Sequence, residues 1–497
     1  MGEPLILALD QGTTSTRAIL FDPGGRALAE ASRTLAQAYP ADGWVEHDPE
    51  AIFADSAAVL REAVDKAGRT IAEVSAIGLA NQRETVVVWD RATGRPIHPA
   101  IVWQDRRTAA ACERLRGQGL EPRIVQETGL LLDPYFSATK IAWILDAVEG
   151  ARARAARGEL LAGTIDTWLI WKLTGGAVHA TDATNASRTL LMDLERQTWS
   201  EDLCALFGVP IGLLPDIRDC AGDFGRTDPS LLGAAAPIRG VAGDQQAALM
   251  GQGCIRAGEV KATFGTGCFM LLHTGEVAPR SSARLLTTVA ARLGGRATYA
   301  LEGSIFMAGA AIQWLNQGLG IAGGPTAAEA LARAARPGHG VIAVPAFTGL
   351  GAPYWDADAR GAIFGLTRDA GLPEIAEAMF DACAFQARDL IEAMLKDAPR
   401  AFADGGRLRV DGGMARSAWF GQRLADLTGL PAAPAAYAET TALGAALFAG
   451  LGAGLYDGAE AAAAVAASGQ VLVPAWTRQD RQARYRRWRA AVRRTRS

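Results

Sequence analysis

The sequence predicts an α/β protein of two similar domains that face each other across a cleft. Three observations predict it. The 497 residues exceed what a single hydrophobic core accommodates. Near the start, an apolar run from Leu5 to Leu9 ends on Asp10, passes through Gly12-Thr13-Thr14-Ser15, and returns as a second apolar run to Phe21. The same strand, small-residue turn and returning strand recur at Val260 to Met270, around Gly265-Thr266-Gly267. The boundary falls near Gly251 to Gly258, giving domains 1–252 and 253–497.

The elements follow in order. Leu5 to Leu9 is short enough for a buried strand, and Gly12 permits a tight reversal. Asp22-Pro23-Gly24-Gly25 is a turn, and Arg26 to Arg33 returns as a strand. Pro49 to Gly68 reads as a helix with Asp48 as N-cap and Pro49 at its first position. Ser75 to Ala80 is a buried strand running into Asn81-Gln82-Arg83-Glu84. Thr85 to Trp89 and Pro96 onward form a hairpin that leads to Trp103-Gln104-Asp105. Helices are expected around Arg107 to Arg116, Ala138 to Val148 and Thr167 to Leu173. Later come the strands Glu259 to Phe264 and Leu408 to Val410. The second is followed by Asp411-Gly412-Gly413 and an amphipathic helix, Ser417 to Leu427. The arginine-rich helix Arg478 to Arg496 reads as a solvated face.

Composition excludes several classes. Half the residues are hydrophobic and the net charge is -3, with no global bias towards nucleic acid or a membrane surface. No run approaches the roughly 18 apolar residues of a spanning helix, and the first residues lack the basic region of a secretory signal. Ile6 stands where a myristoylation signal needs Ser or Thr. The six cysteines, Cys112, Cys204, Cys220, Cys254, Cys268 and Cys383, form no C-x-x-C pair and read as free buried thiols of a cytoplasmic protein. Without H-E-x-x-H a zinc site is not expected.

There is no G-x-x-x-x-G-K-[ST] and no G-x-S-x-G. Gly318-Leu319-Gly320-Ile321-Ala322-Gly323 matches G-x-G-x-x-G but follows a helix, Ala308 to Asn316, so it is a loop and not a dinucleotide site. What remains is one polar turn after each of three strands. Asp10 to Arg17 and Gly265 to Gly267 would hold phosphates from opposite walls, and Gly412-Gly413 would let a base or ribose lie against bare backbone. Asp10 is placed for a hydrated Mg²⁺. Together these turns suggest an ATP cleft built without a P-loop lysine; an ordinary polar turn is the competing account of the first. Asp244, after Val241-Ala242-Gly243, suits the base of a phosphotransferase, or else a helix N-cap. Arg83-Glu84 offers donors and acceptors for hydroxyls, and Trp103 and Tyr135 offer apolar walls against carbon.

The sequence resembles the glycerol kinases, of the sugar-kinase group within the actin-like ATPase superfamily. The stretches that carry the resemblance span nearly the whole chain: Asp10 to Ser15, Gly43 to Pro49, Asn81 to Thr85, Asp133 to Ser137, Thr184 to Thr189, Gly243 to Gln246, Phe264 to Phe269, Leu301 to Phe306 and Pro345 to Trp355. The resemblance implies two RNase-H-like domains flanking a nucleotide cleft. It implies that Arg83, Glu84, Tyr135, Asp244 and Gln245 bind the hydroxyls of glycerol, with Trp103 and Phe269 walling its carbons. Asp244 would be the base. Thr13, Thr14, Ser15 and Arg17 would hold ATP phosphates with Thr266 opposite, and Gly309, Gln313 and Gly413 would contact the nucleoside. Asp10 would position Mg²⁺. A homo-oligomer, dimer or tetramer, is expected, with no nucleic-acid partner and no stable membrane association.

Two departures stand out. Ser417 occupies the place where the family usually has an asparagine after the double glycine, which bears on adenine affinity. Leu231 to Pro237 lacks most of the glycines and the arginine through which some bacterial members respond to fructose 1,6-bisphosphate, so weak or absent control by that compound is expected. The rival readings are a kinase for another polyol or ketose on the same fold, and an actin-like or chaperone-like ATPase with no acceptor.

Overall fold

The computed structural model describes residues 3–321, 323–403, 405–466 and 468–496. Two mixed sheets organise it. The first has the order Ile238–Gly243, Val74–Asn81, Leu5–Gln11, Ser15–Phe21, Ala27–Thr34. Leu5–Gln11 runs parallel to Val74–Asn81 and antiparallel to Ser15–Phe21. The second has the order Leu286–Leu293, Arg296–Ile305, Cys268–Gly275, Glu259–Phe264, Arg407–Asp411, Ala432–Pro434. There too an antiparallel meander meets parallel neighbours at its first strand, Glu259–Phe264. The two halves thus repeat one topology, the RNase-H-like arrangement of actin-like ATPases, and the second adds an outer strand, Leu286–Leu293.

Leu5–Gln11 is apolar throughout because it is covered on both faces. Leu5, Leu7 and Leu9 pack with Ile52, Val59 and Leu60 of helix Pro49–Lys66. Ile6 and Ala8 pack with Ala442, Ala445 and Ala446 of helix Thr440–Gly452. The first helix starts as expected, the Asp48 carboxylate accepting from the Glu50 N–H. The second helix leaves the second sheet at Ala432–Pro434 and lies on the first. Its contacts there are backbone to backbone. A Cβ added at Gly444 would stand 1.7 Å from the Ala247 carbonyl oxygen, and one at Gly251 would stand 1.9 Å from that of Thr440. Only glycine allows helices Asp244–Gly251 and Thr440–Gly452 to approach so closely.

In the second sheet, Val260, Ala262 and Phe264 join a core with Phe380 and Leu390 of the long helix Leu372–Asp397. The intervening residues Lys261 and Thr263 face the other way, towards the first half. A small sheet of Glu46–His47, Ala100–Ile101, Val86–Asp90 and Leu160–Thr164 extends the first half and covers a separate core with helix Ser137–Ala147.

Most of the expected elements stand at their expected places, with two differences. Gly412-Gly413 does not open the amphipathic helix. A 3₁₀ turn, Gly413–Arg416, intervenes, and the α-helix is Ala418–Thr428 with Ser417 as its N-cap. Asp244 is not an N-cap either; that position is Gly243, and Asp244 is the first helical residue. Gly318 ends helix Gly309–Gly318, as a loop reading of the G-x-G-x-x-G stretch requires; Ala322 within it lies outside the described residues. The arginine-rich helix Arg478–Thr495 is anchored by buried Tyr485 and Trp488, both of which donate to Asp389. All six cysteines are free and buried. No helix among the described residues is long and apolar enough to cross a membrane.

Candidate active site

The strand ends of the two sheets converge on one cleft. On the first sheet, Leu5–Gln11 delivers Asp10 and the turn Gly12 to Ser15, closed by the Gly12 N–H on the Ser15 carbonyl at 2.9 Å. On the second, Glu259–Phe264 delivers Gly265-Thr266-Gly267. That turn is joined to helix Gly309–Gly318, whose first N–H groups donate back to it: Gly309 to Gly265 at 2.9 Å and Ala310 to Thr266 at 2.9 Å. A Cβ at Gly309 would meet the Gly265 carbonyl oxygen at 2.5 Å. The residue must therefore stay bare for the turn to seat on the helix.

Beside the second turn is a cleft of about 430 Å³. Its walls include Thr266, Gly309, Gln313, Gly413 and Ser417, so five residues separated by up to 151 positions in the chain share one cavity. The Ser417 Oγ accepts from the Phe420 N–H at 3.0 Å as a helix cap. Its own O–H remains available to donate.

In the first half, Asp244 stands at the start of its helix with its side chain 30% exposed. Its Oδ1 lies 3.3 Å from Arg83 Nε and accepts from the Gln245 N–H at 2.7 Å. Arg83 is buried and fully engaged. Its two Nη groups donate to the Glu302 carboxylate at 2.6 and 3.1 Å, and Nη2 reaches the Tyr135 hydroxyl at 3.4 Å. Arg188, also buried, donates to Glu84 at 2.6 Å and to Glu302 at 3.0 Å. These bidentate and charge-assisted bonds account for two buried arginines beside two buried glutamates. The arginines hold the Glu302 carboxyl down at about 2 despite burial, whereas burial raises that of Glu84 above the usual range. Tyr135 meets the Trp103 ring edge-on, with centroids 5.6 Å apart. The Trp103 indole N–H donates to the Thr13 hydroxyl at 2.8 Å, which ties this aromatic wall to the phosphate-type turn. Phe269 pairs across the second sheet with Thr263 and Ser304. It shares a sheet face with Lys261 and Glu302, the face turned to the first half.

Asp10 sits between these groups. Burial, Asp244 and Glu439 together push its carboxyl up to about 7, against the pull of Arg17. Arg17 itself forms an ion pair with Glu439, at the start of helix Thr440–Gly452.

The N-terminal domain of the FGGY family of carbohydrate kinases matches residues 5–251, and the C-terminal domain of that family matches 260–453. The chain belongs to the FGGY family of carbohydrate kinases. This FGGY chain is 55% identical over 490 residues to a glycerol kinase of Rhizobium meliloti (strain 1021), covering 99% of this chain and 98% of the relative. It is 55% identical over 489 residues to a glycerol kinase of Alcanivorax borkumensis, covering 98% of each. Among solved structures it resembles the glycerol kinase of Plasmodium falciparum with ADP, with a TM-score of 0.94, 34% identity, and coverage of 99% of this chain and 98% of that one. It also resembles a xylulose kinase of Rhodospirillum rubrum, with a TM-score of 0.86, 26% identity and 98% coverage of both.

Three polar residues of the FGGY site were not singled out from the sequence: Arg188, Glu302 and Lys261. Arg188 and Glu302 lie within stretches that carried the resemblance, but nothing local marks a buried arginine as facing a glutamate 114 positions away. Lys261 had a local signal. It is a charged residue between apolar neighbours in a strand otherwise expected to be buried. Gln246, next to Gln245, is fully buried; its Nε2 donates to Thr288 and Val289 while its Oε1 accepts from Arg83 at 3.3 Å.

Proposed function

We propose that this chain transfers the γ-phosphoryl group of ATP to a terminal hydroxyl of glycerol, giving sn-glycerol 3-phosphate, with Asp244 as the base. The observation that carries the reading is the position of the partly exposed Asp244 carboxylate, 3.3 Å from Arg83, beside Gln245, and near enough to Asp10 of the first turn to help raise its carboxyl. The full-length similarity to glycerol kinases supports glycerol over another polyol or a ketose.

Arg83, Glu84, Tyr135 and Gln245 bind the hydroxyls, while Trp103 and Phe269 enclose the carbons. Asp244 accepts the proton of a terminal hydroxyl. The resulting alkoxide oxygen attacks the γ-phosphorus in line, the bond to the β–γ bridging oxygen breaks, and ADP leaves. The backbone N–H groups and hydroxyls of Thr13, Thr14 and Ser15 face the phosphates, Thr266 stands opposite, and Arg17 exchanges Glu439 for a phosphate oxygen. Gly309, Gln313, Gly413 and Ser417 line the cavity for the nucleoside.

Asp10 fits a Mg²⁺ position. Crowded by Asp244 and Glu439, its carboxyl is one that a cation would return to the ionised form. A metal held there would take one or two carboxylates and fill its shell with phosphate oxygens and water. When bound, the metal would neutralise charge on the phosphate oxygens.

A coupled ADP assay with and without glycerol tests the reading. Turnover is expected only with the acceptor; ATP hydrolysis of equal rate without it would point instead to an ATPase. Asp244→Asn should lower kcat by several orders of magnitude and leave ATP binding nearly intact. Near-normal turnover in that variant would remove Asp244 from the base role.

A further inference from the structure

Lys261 lies on strand Glu259–Phe264 and is fully buried. Its neighbours Val260 and Ala262 join the core of the second half, while its own side chain crosses to the first half and Nζ donates to the Gln245 Oε1. The acidic groups facing it are Asp411, Asp244 and Glu302. Asp411 in turn accepts from the Thr440 hydroxyl. A buried ammonium must be met by acceptors, and it offers only donors. It therefore dictates which end of the Gln245 amide it touches. With Oε1 held by Lys261, Nε2 is the end left for the cleft, beside the Asp244 carboxylate. A donor and an acceptor side by side are what a hydroxyl needs, since it both accepts and donates.

We propose that Lys261 is a specificity-positioning residue, which reaches across from the second sheet to lock the Gln245 amide with its N–H₂ towards the acceptor. It touches neither substrate nor nucleotide and acts through Gln245. The inference rests on the reading of Asp244 and Gln245 as the acceptor site. It explains a charged residue in the middle of an apolar strand.

The experiment measures kcat/KM for glycerol and for its deoxy analogues propane-1,2-diol and propane-1,3-diol, with KM for ATP alongside. Lys261→Met is expected to lower the preference for glycerol over at least one analogue by about tenfold, with KM for ATP changed less than about twofold. In a Gln245→Ala background, Lys261→Met should shift that preference no further. Gln245→Glu leaves the buried lysine and its core untouched but replaces the donor with an acceptor. It should lose the same preference, and it supplies the test if Lys261→Met fails to fold. An unchanged preference over both analogues in Lys261→Met, or in Gln245→Glu, overturns the proposal, as do fully additive effects in the double variant. If Gln245→Ala itself leaves the preference intact, the acceptor-site reading falls, and the inference with it.

Discussion

Glu84 holds a left-handed backbone, with φ at 61°, while its side chain is buried and paired with Arg188. Few residues tolerate that conformation outside glycine, and it is retained where the surroundings over-determine it. Here the preceding residue, Arg83, is fixed by Glu302, and the Glu84 carbonyl accepts from the Ser137 hydroxyl at 3.2 Å. Below them Lys140 is buried, and its Nζ donates to the Tyr135 carbonyl at 2.6 Å. Burial pulls its pKa from 10.5 down to about 7. The unfolded chain therefore takes up a proton here below pH 10.5 that the folded chain refuses until about 7. Stability from this group is full above 10.5 and is lost as the pH falls to about 7. Lys140→Met should be more resistant to urea than the parent near pH 7, with the advantage shrinking as the pH rises towards 10.5. A pH-independent difference would contradict the assignment.

At this scale the sequence was legible where a residue type is rare in its setting. Asp10 at a strand end, Asp244 after small residues, and the Arg83-Glu84 pair all stood out. The partners did not, because Arg188 meets Glu84 from a distant part of the first half, and Glu302 meets Arg83 only when the two halves fold onto each other. The Arg17–Glu439 pair was hidden for the same reason.

The element on which most contacts turn is helix Thr440–Gly452. Its start carries Glu439 against Arg17 and Thr440 against Asp411, and its body lies backbone to backbone on helix Asp244–Gly251. Gly444→Ala should cost about 1–3 kcal/mol in unfolding free energy, as overpacking does, and should disturb Asp244 through the displaced helix. Gly117→Ala is the control. Gly117 ends helix Ala109–Gly117 with nothing within 4 Å of an added Cβ, so the change should be neutral or stabilising by less than about 1 kcal/mol. Equal effects of the two on urea denaturation would refute the close contact. A second element, the short helix Ala183–Ala186, fixes the other side: the Thr184 hydroxyl accepts from the Gly243 N–H at 2.8 Å, one residue before Asp244. Helices and strands were readable from periodicity and caps, Asp48 and Pro49 being the clearest case. Their pairing across halves was not, since an alanine- and glycine-rich helix gives no sign of which sheet it will cover.

In the whole molecule, the two halves are joined by a buried polar clasp in which Glu302 of the second half holds Arg83 and Arg188 of the first half. Removing one member of a buried charge cluster leaves the others uncompensated. Glu302→Ala should cost about 3–5 kcal/mol and raise KM for glycerol more than KM for ATP. A thermal melt and steady-state kinetics check both. A loss confined to the nucleotide side would place the clasp elsewhere. The repeat of strand, turn and strand was visible in the sequence because each copy ends in glycine and threonine. The full shared topology was not, since the later strands of each sheet lie far along the chain.

The crossing of helix Thr440–Gly452 also bears on how the protein can be dissected. A fragment ending at residue 252 would leave Ile6, Ala8, Ile19 and Phe21 without the alanine layer that covers them, and a fragment beginning at 253 would carry that layer with nothing to lie on. Neither piece is a self-sufficient module. Gene fusions or split reporters built on this scaffold should keep both segments in one polypeptide, or supply residues 440–452 to the first piece in trans.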